Sequence, residues 1–181
     1  MKVSNAETLI IAMLAEIYEK LGIAGPQNLD PAFIKSALAD DAMWSLSWKY
    51  SGLFPQPEAA PAHVGEAAGF LEMWETIERQ LDQLDATKKA ELHEKARAAG
   101  STTTFRGFDG NGEVEHLSAV RFMIDELSKF DHFKGRELNS HIPLLPRYRA
   151  MFKEYRARLS TVVQGHPSPD DLLAILLAQR N

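Results

Sequence analysis

Apolar residues recur every three or four positions in one segment after another of this 181-residue chain. That spacing places them on one side of an α-helix, whereas a half-buried strand would alternate apolar and polar residues. The pattern is clear in residues 5–21, and residues 64–84 repeat it with Glu78 as the single polar interruption. The apolar positions of the first segment are Leu9, Ile10, Met13, Leu14, Ile17 and Leu21. Because hairpin signals and strand–helix alternation are both missing, we predict an all-α fold, a multihelical array of about seven to eight helices.

Capping residues indicate where several of these helices begin. Asn5 is the expected N-cap of the first helix, and Asp30 followed by a proline combines a side-chain acceptor with a good first helical residue. Ser168 and Asp171 have the spacing of a capping box and predict a last helix over residues 169–179. That helix is apolar on nearly every side, so we expect it to dock in the core or in an interface between copies.

Two stretches depart from the helical pattern. Residues 54–63 contain three prolines, which lack backbone donors, so they predict an extended connection. Residues 101–108, with consecutive threonines and two phenylalanines, allow at most one short extended segment. At this length we predict a single domain over residues 1–181, with an N-terminal helical part at 1–53 and a main helical part at 64–181.

Composition excludes several kinds of site. The chain has no cysteine, which rules out disulfides, thiolate metal ligands and a cysteine nucleophile. The six histidines lack the spacing of a zinc motif, so we expect no metal and no cofactor. The net charge of −5 disfavours general binding to nucleic acid. The opening residues lack the apolar core of a secretory signal, and no apolar run would span a bilayer, so we predict a cytoplasmic protein without membrane contact.

Residues throughout the chain carry a resemblance to one protein family. The matching residues are Ser4 to Ile10, Met73 to Glu78, Phe105-Arg106-Gly107-Phe108-Asp109, Glu113, Leu117, Val120 to Met123, Phe130 to Phe133, and Tyr148 to Met151. On these residues the chain resembles the YfbU family of uncharacterised bacterial proteins, least closely between residues 22 and 63. The resemblance implies a helical, cytoplasmic, bacterial protein that self-associates. It brings no catalytic residue, cofactor or substrate.

One group of candidate site residues lies in the same region. Its members are Phe105, Gly107, Phe108, Asp109, Arg121, Asp131 and His132. Arg121 has the geometry to hold a carboxylate through two hydrogen bonds, and His132 next to Asp131 has the chemistry of a general base with an orienting partner. The structural interpretation, which we favour, is that Arg121 pairs with Asp109 and fixes the Gly107 loop on the helix.

Gly107 lies between two aromatic residues, Phe105 and Phe108. A glycine there predicts a close approach between backbone segments, with both rings anchored in the core. The alternative is a ligand slot between the two rings.

A second candidate is a basic face within residues 147–158, on a helix predicted over residues 144–163. Arg149, Lys153 and Arg156 fall at helical intervals of four and three, and aromatic residues flank them. This arrangement is typical of a surface that binds nucleic acid or another anionic partner. The alternative, which we favour, is a solvated face that pairs with the acidic first half of the chain.

These observations leave three hypotheses for the function. The leading one is a non-enzymatic, self-associating interaction or regulatory protein, most simply a dimer, because of its apolar last helix, its tryptophans on helices and the lack of a catalytic motif. This hypothesis also allows a different protein as a partner. One alternative is a nucleic-acid-binding regulator that uses the face at 147–158. The other is an enzyme with a site around Asp109, Arg121, Asp131 and His132.

Overall fold

The computed structural model describes residues 3–22, 29–54, 58–160 and 167–180. These ranges contain eight α-helices and no strand, which confirms the predicted all-α fold. The helices are α1 (Asn5–Leu21), α2 (Pro31–Ala39), α3 (Trp44–Lys49), α4 (Ala62–Gln83), α5 (Ala86–Ala98), α6 (Val114–Arg121), α7 (Leu145–Leu159) and α8 (Pro169–Leu177). The stretch predicted to be extended contributes an isolated bridge between Phe108 and Asn139.

Side-chain caps mark the beginning of four of the described helices, α1, α2, α5 and α8. Ser4 rather than Asn5 caps α1, because its Oγ accepts the N–H of Glu7 at 3.3 Å while the Glu7 carboxylate accepts the N–H of Ser4 at 2.8 Å. This reciprocal pair needs an acidic residue three positions after the cap, and only Ser4 has one. Asp30 caps α2, and Ser168 opens α8 with a capping box, both as predicted.

The proline-rich connection is shorter than predicted. Helix α4 already begins at Ala62, so the last two residues of the predicted connection at 54–63 belong to the helix. Residues 55–57 of that connection lie outside the described residues, as do residues 161–163 at the end of the helix predicted over 144–163.

Helix α4 is the centre of the hydrophobic core, with α6 and α7 packed against it. Its buried residues are Val64, Ala67, Phe70, Leu71, Met73, Trp74, Ile77, Glu78 and Leu81. Tyr148 of α7 contacts Phe70 and Trp74, with ring centroids 5.9 and 5.7 Å apart. A helix buried on this many sides organises the elements around it and positions any site that they form.

A π-helical turn joins the N-terminal helices to this core. Helix α6 continues into the turn Phe122–Glu126, in which the N–H of Leu127 donates to the carbonyl of Phe122 at 3.1 Å. Phe122 contacts Phe33 of α2 and Trp44 of α3, with ring centroids 5.7 and 5.9 Å apart. The apolar residues of α2 and α3 therefore share one core with the main helical part.

Helix α8 docks inside the chain, against α5 and α7. Leu172, Ile175 and Leu176 are buried there. Of the two positions expected for this apolar helix, it takes the core of its own chain. It therefore no longer argues for an interface between copies.

Candidate functional site

Glu78 is a buried carboxylate at the point where α4 meets the loops that follow α5 and α6. Its Oε1 accepts the backbone N–H of Phe105 at 2.7 Å and Nη1 of Arg136 at 3.0 Å. Its Oε2 lies 2.7 Å from Nε2 of His132 and 2.8 Å from Nη2 of Arg136. With its side chain only 7% exposed, Glu78 exchanges water for four nitrogen atoms from three residues. This is the pairing that a buried charge requires.

His132 reaches Glu78 because of the backbone around it. Phe130 has a φ of 61°, a left-handed conformation that opens the short 3-10 turn Asp131–Phe133. Because a carboxylate can only accept, Nε2 of His132 is the donor in this contact. A histidine bonded to a carboxylate is the arrangement of a general base with its orienting partner, but here Arg136 binds the same carboxylate, and its Nη2 lies 3.2 Å from Nε2 of His132.

The structure does not bring together the four residues of the enzyme hypothesis. Asp131 is exposed, and Glu78 rather than Asp131 is the carboxylate bonded to His132. Arg121 is also exposed, with Nη2 3.9 Å from Glu137. The predicted pair between Arg121 and Asp109 is therefore wrong, and so is a single site built from these four residues. Arg121 instead lines an open cavity of about 480 Å³ with acidic neighbours from the end of α2 and from the π-helical turn.

Asp109 organises the start of α6 instead. Its Oδ2 accepts the N–H of Gly112 at 3.0 Å, and its own N–H donates to Glu113 at 2.9 Å. Glu113 is buried, and its other oxygen accepts the N–H of Leu145 at 2.6 Å. This pair of carboxylates joins the loop before α6 to the first residue of α7, which is a structural role.

The Gly107 loop packs directly on the backbone segment that contains Leu138. Gly107 has a φ of 77°, and a Cβ at this position would lie 1.7 Å from the carbonyl oxygen of Leu138. The N–H of Phe108 donates to that same carbonyl at 3.0 Å. Only glycine combines this φ with so close an approach, in agreement with the close backbone approach predicted at Gly107.

The two rings beside Gly107 fill the core. Phe105 and Phe108 meet edge to face with centroids 5.9 Å apart, and both contact Tyr148. The Tyr148 hydroxyl accepts the N–H of Arg106 at 3.2 Å, and burial raises the pKa of that hydroxyl. Because the rings are in direct contact, the slot between them is closed to a ligand.

A second carboxylate, Glu66 of α4, neutralises part of the basic face. Arg149 binds it with two hydrogen bonds, from Nε to Oε1 at 2.6 Å and from Nη2 to Oε2 at 2.9 Å. His116 Nε2 lies 2.9 Å from the same Oε2. The hydrogen bond from Arg149 lowers the pKa of Glu66 despite its partial burial, and Glu66 raises the pKa of Arg149. For Arg149 this is the predicted pairing with the acidic first half of the chain.

The remainder of the basic face is partly exposed and partly paired within the chain. Arg147, Lys153 and Arg156 are exposed on α7, whereas Arg158 pairs with Glu154 and with Asp171 of α8. Of the three aromatic residues that flank the face, Tyr148 and Tyr155 are buried in the core, at 1% and 8% exposure, and Phe152 is partly buried against Phe70. Bases stack on exposed rings, so this helix lacks the platform on which single-stranded nucleic acid is bound.

The apolar face of α1 lies in water. Its six residues are between 51% and 66% exposed, the highest values among the large apolar side chains of the described residues. These are the same Leu9, Ile10, Met13, Leu14, Ile17 and Leu21 that mark the helix in the sequence. Helix α1 packs on α2 through its other side, where Ala15 is buried. We refer to the six exposed side chains as the α1 stripe.

The described residues contain neither a cluster of metal ligands nor a membrane-spanning helix. Over the described ranges, no group of three or more histidine, aspartate or glutamate side chains is placed to hold a metal ion. Each helix in the same ranges is too short or too polar to cross a bilayer.

Together these features define an all-α protein in which buried carboxylates clamp loops onto a central helix. The family model of the YfbU domain matches residues 1–176, and the chain belongs to that family. A relative, the UPF0304 protein MJECS11 of Methanocaldococcus jannaschii, is 37% identical over 59 residues, 30% of this chain and 35% of the relative. The match therefore spans about a third of the relative's length. No solved structure matches the chain.

Proposed function

We propose that this protein is a non-enzymatic interaction or regulatory protein that works by self-association, most simply as a dimer. The observation that carries the proposal is the α1 stripe, six large apolar side chains left in water on one helix. The opposite side of α1 already packs on α2, so the stripe is not needed to hold the helix on its own chain.

The size of the stripe supports a protein interface. At the exposures observed, it presents on the order of 600 Å² of apolar surface, the upper end for the largest patch on a typical monomer. Each partner in a standard protein interface buries about 800 Å², so the stripe with a narrow polar rim is large enough. At roughly 100 Å² each and about 25 cal/mol per Å², burying each side chain would contribute about 2 kcal/mol.

The charges beside the stripe favour a protein over a lipid surface. Helix α1 carries Glu7, Glu16 and Glu19 against a single basic residue, Lys20. Amphipathic helices that lie in a membrane interface have basic polar faces, because membrane surfaces are anionic. A face flanked mainly by carboxylates is repelled by such a surface.

The carboxylate network gives the enzyme alternative no support. Glu78 uses both oxygens on structural partners, two of them the paired nitrogens of Arg136. A catalytic carboxylate needs a free oxygen toward a substrate, whereas both oxygens of Glu78 are occupied and the rings next to it are packed against one another. We therefore assign the network to the stability of the fold.

Native mass spectrometry of the protein, purified gently from its own host, tests the proposal. The expected result is a complex whose mass is a multiple of the 20.2 kDa chain, with no additional mass. A monomer at micromolar concentration would contradict self-association. Retained nucleic acid or a retained small molecule would contradict the non-enzymatic interaction role and direct attention to the basic face or to the cavity beside Arg121.

A further inference from the structure

We infer that the partner of the α1 stripe is the α1 stripe of a second copy, and that the two helices run antiparallel. This inference rests on the proposed self-association and adds the surface, the orientation and the register. The orientation follows from where leucine and isoleucine stand along the apolar face of α1.

Four residues of the stripe form a seam of the coiled-coil type. Ile10, Leu14, Ile17 and Leu21 follow one another at intervals of four, three and four, which places them along one line of the helix. In heptad terms the two leucines take the first core position, a, and the two isoleucines take the second, d. All four side chains are more than half exposed, so the seam is open along its length.

The distribution of leucine and isoleucine disfavours a parallel pair. In a parallel two-helix pair each seam residue faces its own copy, and that geometry prefers a β-branched residue at a and leucine at d. Here the order is reversed, which in parallel helices favours three or four strands. An antiparallel pair instead sets an a position against a d position, so that each leucine faces an isoleucine.

The antiparallel register follows from the seam. Leu14 of one copy lies opposite Ile17 of the other, and Ile10 lies opposite Leu21, so the two-fold axis passes between residues 15 and 16. The two helix dipoles then run in opposite directions, which is favourable. One stripe is self-complementary about this axis, as a two-fold interface requires.

The neighbours of the seam fit this arrangement. Met13 and Lys20 lie on one flank of the seam. The aliphatic stem of Lys20 can cover the Met13 thioether of the second copy while the lysine amine stays in water. The other flank, with Ile11 and Tyr18, is partly buried on the side of α1 where α2 packs. Two copies thus bring α1 and α2 of each chain into one four-helix layer.

Because the chain has no cysteine, single introduced cysteines report the register directly. Ile10→Cys and Leu21→Cys are prepared separately in the full chain, one with an affinity tag, then mixed and mildly oxidised. Both positions are exposed, so the substitutions leave the fold intact. In the antiparallel pair residue 10 of one copy meets residue 21 of the other, whereas equal positions are about 16 Å apart along the axis. A disulfide forms only over a Cα separation of about 7 Å or less.

The expected result is the mixed disulfide dimer, at least tenfold more abundant than either same-residue dimer. Same-residue dimers in place of the mixed one would overturn the antiparallel orientation and leave self-association standing. A dimer in sedimentation without any of these cross-links would show that another surface is used and would overturn the inference. A monomer in sedimentation would end the proposed function itself. Glu94→Cys, on the exposed side of α5, is the control for chance collisions and should give no disulfide-linked dimer.

Discussion

Glu78 joins the loop after α5 to the segment after α6 through its contacts with Phe105, His132 and Arg136. Replacing it by glutamine keeps its volume, but the amide nitrogen can no longer accept from Arg136 or His132. Removing one partner of a buried ion pair costs about 3 to 5 kcal/mol, so we expect Glu78→Gln to lower the free energy of unfolding by about 3 kcal/mol. Urea denaturation at neutral pH measures the change.

The matched control for Glu78 is Glu94→Gln, because Glu94 pairs with Arg97 while both side chains are mostly exposed. Exposed pairs contribute little, so this variant should change the free energy of unfolding by less than about 0.5 kcal/mol. Equal effects in the two variants would show that the contacts of Glu78 do not hold the loops.

Gly107 tests whether the loop packs as closely as the structure shows. Gly107→Ala places a Cβ 1.7 Å from the carbonyl oxygen of Leu138, so the loop must move, and we expect a loss of about 3 kcal/mol or more. Gly135 has the same φ of 77° with open space around it, so Gly135→Ala should cost only the conformational penalty of about 1 kcal/mol. Thermal denaturation compares the two, and similar losses would contradict the close approach.

Residue patterns predicted these two positions to different degrees. The close backbone approach at Gly107 could be predicted, because a glycine between two core phenylalanines indicates a position without room for a side chain. Glu78 was visible only as a polar interruption in an apolar stripe. Its partners are 27, 54 and 58 positions away, and no local rule connects them. The same distance problem led to the wrong pairing of Arg121 with Asp109.

Helices α7 and α8 are joined by an ion pair that gives the fold a dependence on acid pH. Asp171 completes the capping box of α8 and accepts from Arg158, and hydrogen bonds from Ser168 and Arg158 lower its pKa to about 2. The pKa is depressed in the folded state, so the stabilisation is present above the ordinary value of about 4 and is lost as the pH falls toward 2.

We therefore expect Asp171→Asn to be less stable than the wild type at pH 5 and above, with the difference disappearing between about pH 4 and pH 2. Urea midpoints measured across this range give the comparison. Asp170→Asn, one position earlier and outside the capping box, should show a smaller difference at pH 5. A deficit of Asp171→Asn that persists unchanged at pH 2 would contradict the role of the carboxylate.

At the scale of elements, periodicity and caps predicted where the helices lie but not what covers them. The 3.6-residue repeat identified α1 and α4 equally well, and both carry an apolar stripe. In α4 other helices bury the stripe, whereas in α1 the described part of the same chain leaves it exposed. The repeat reports only that a face is apolar. Which element meets that face depends on contacts between distant parts of the chain or between chains.

For the whole molecule, charge balance argues against nucleic-acid binding. The net charge is −5, and Arg149 is already bound to Glu66. We expect no saturable binding to duplex or single-stranded DNA, measured by fluorescence anisotropy at about 50 mM salt, where phosphate contacts are strong. Binding that weakens steeply with salt, and that is lost in a Lys153→Glu, Arg156→Glu variant, would contradict this expectation.

The central claim is that two copies associate through the α1 stripe, and sedimentation equilibrium tests it most directly. The wild type is compared with Leu14→Lys, Ile17→Lys, which puts two charges in the centre of the stripe, and with Ile142→Lys, an exposed isoleucine elsewhere. The account predicts twice the 20.2 kDa chain mass for the wild type and the control. It predicts the single-chain mass for the double variant, with at least a hundredfold weaker association and unchanged helix content. A monomeric wild type, or a double variant that remains dimeric, would contradict the account.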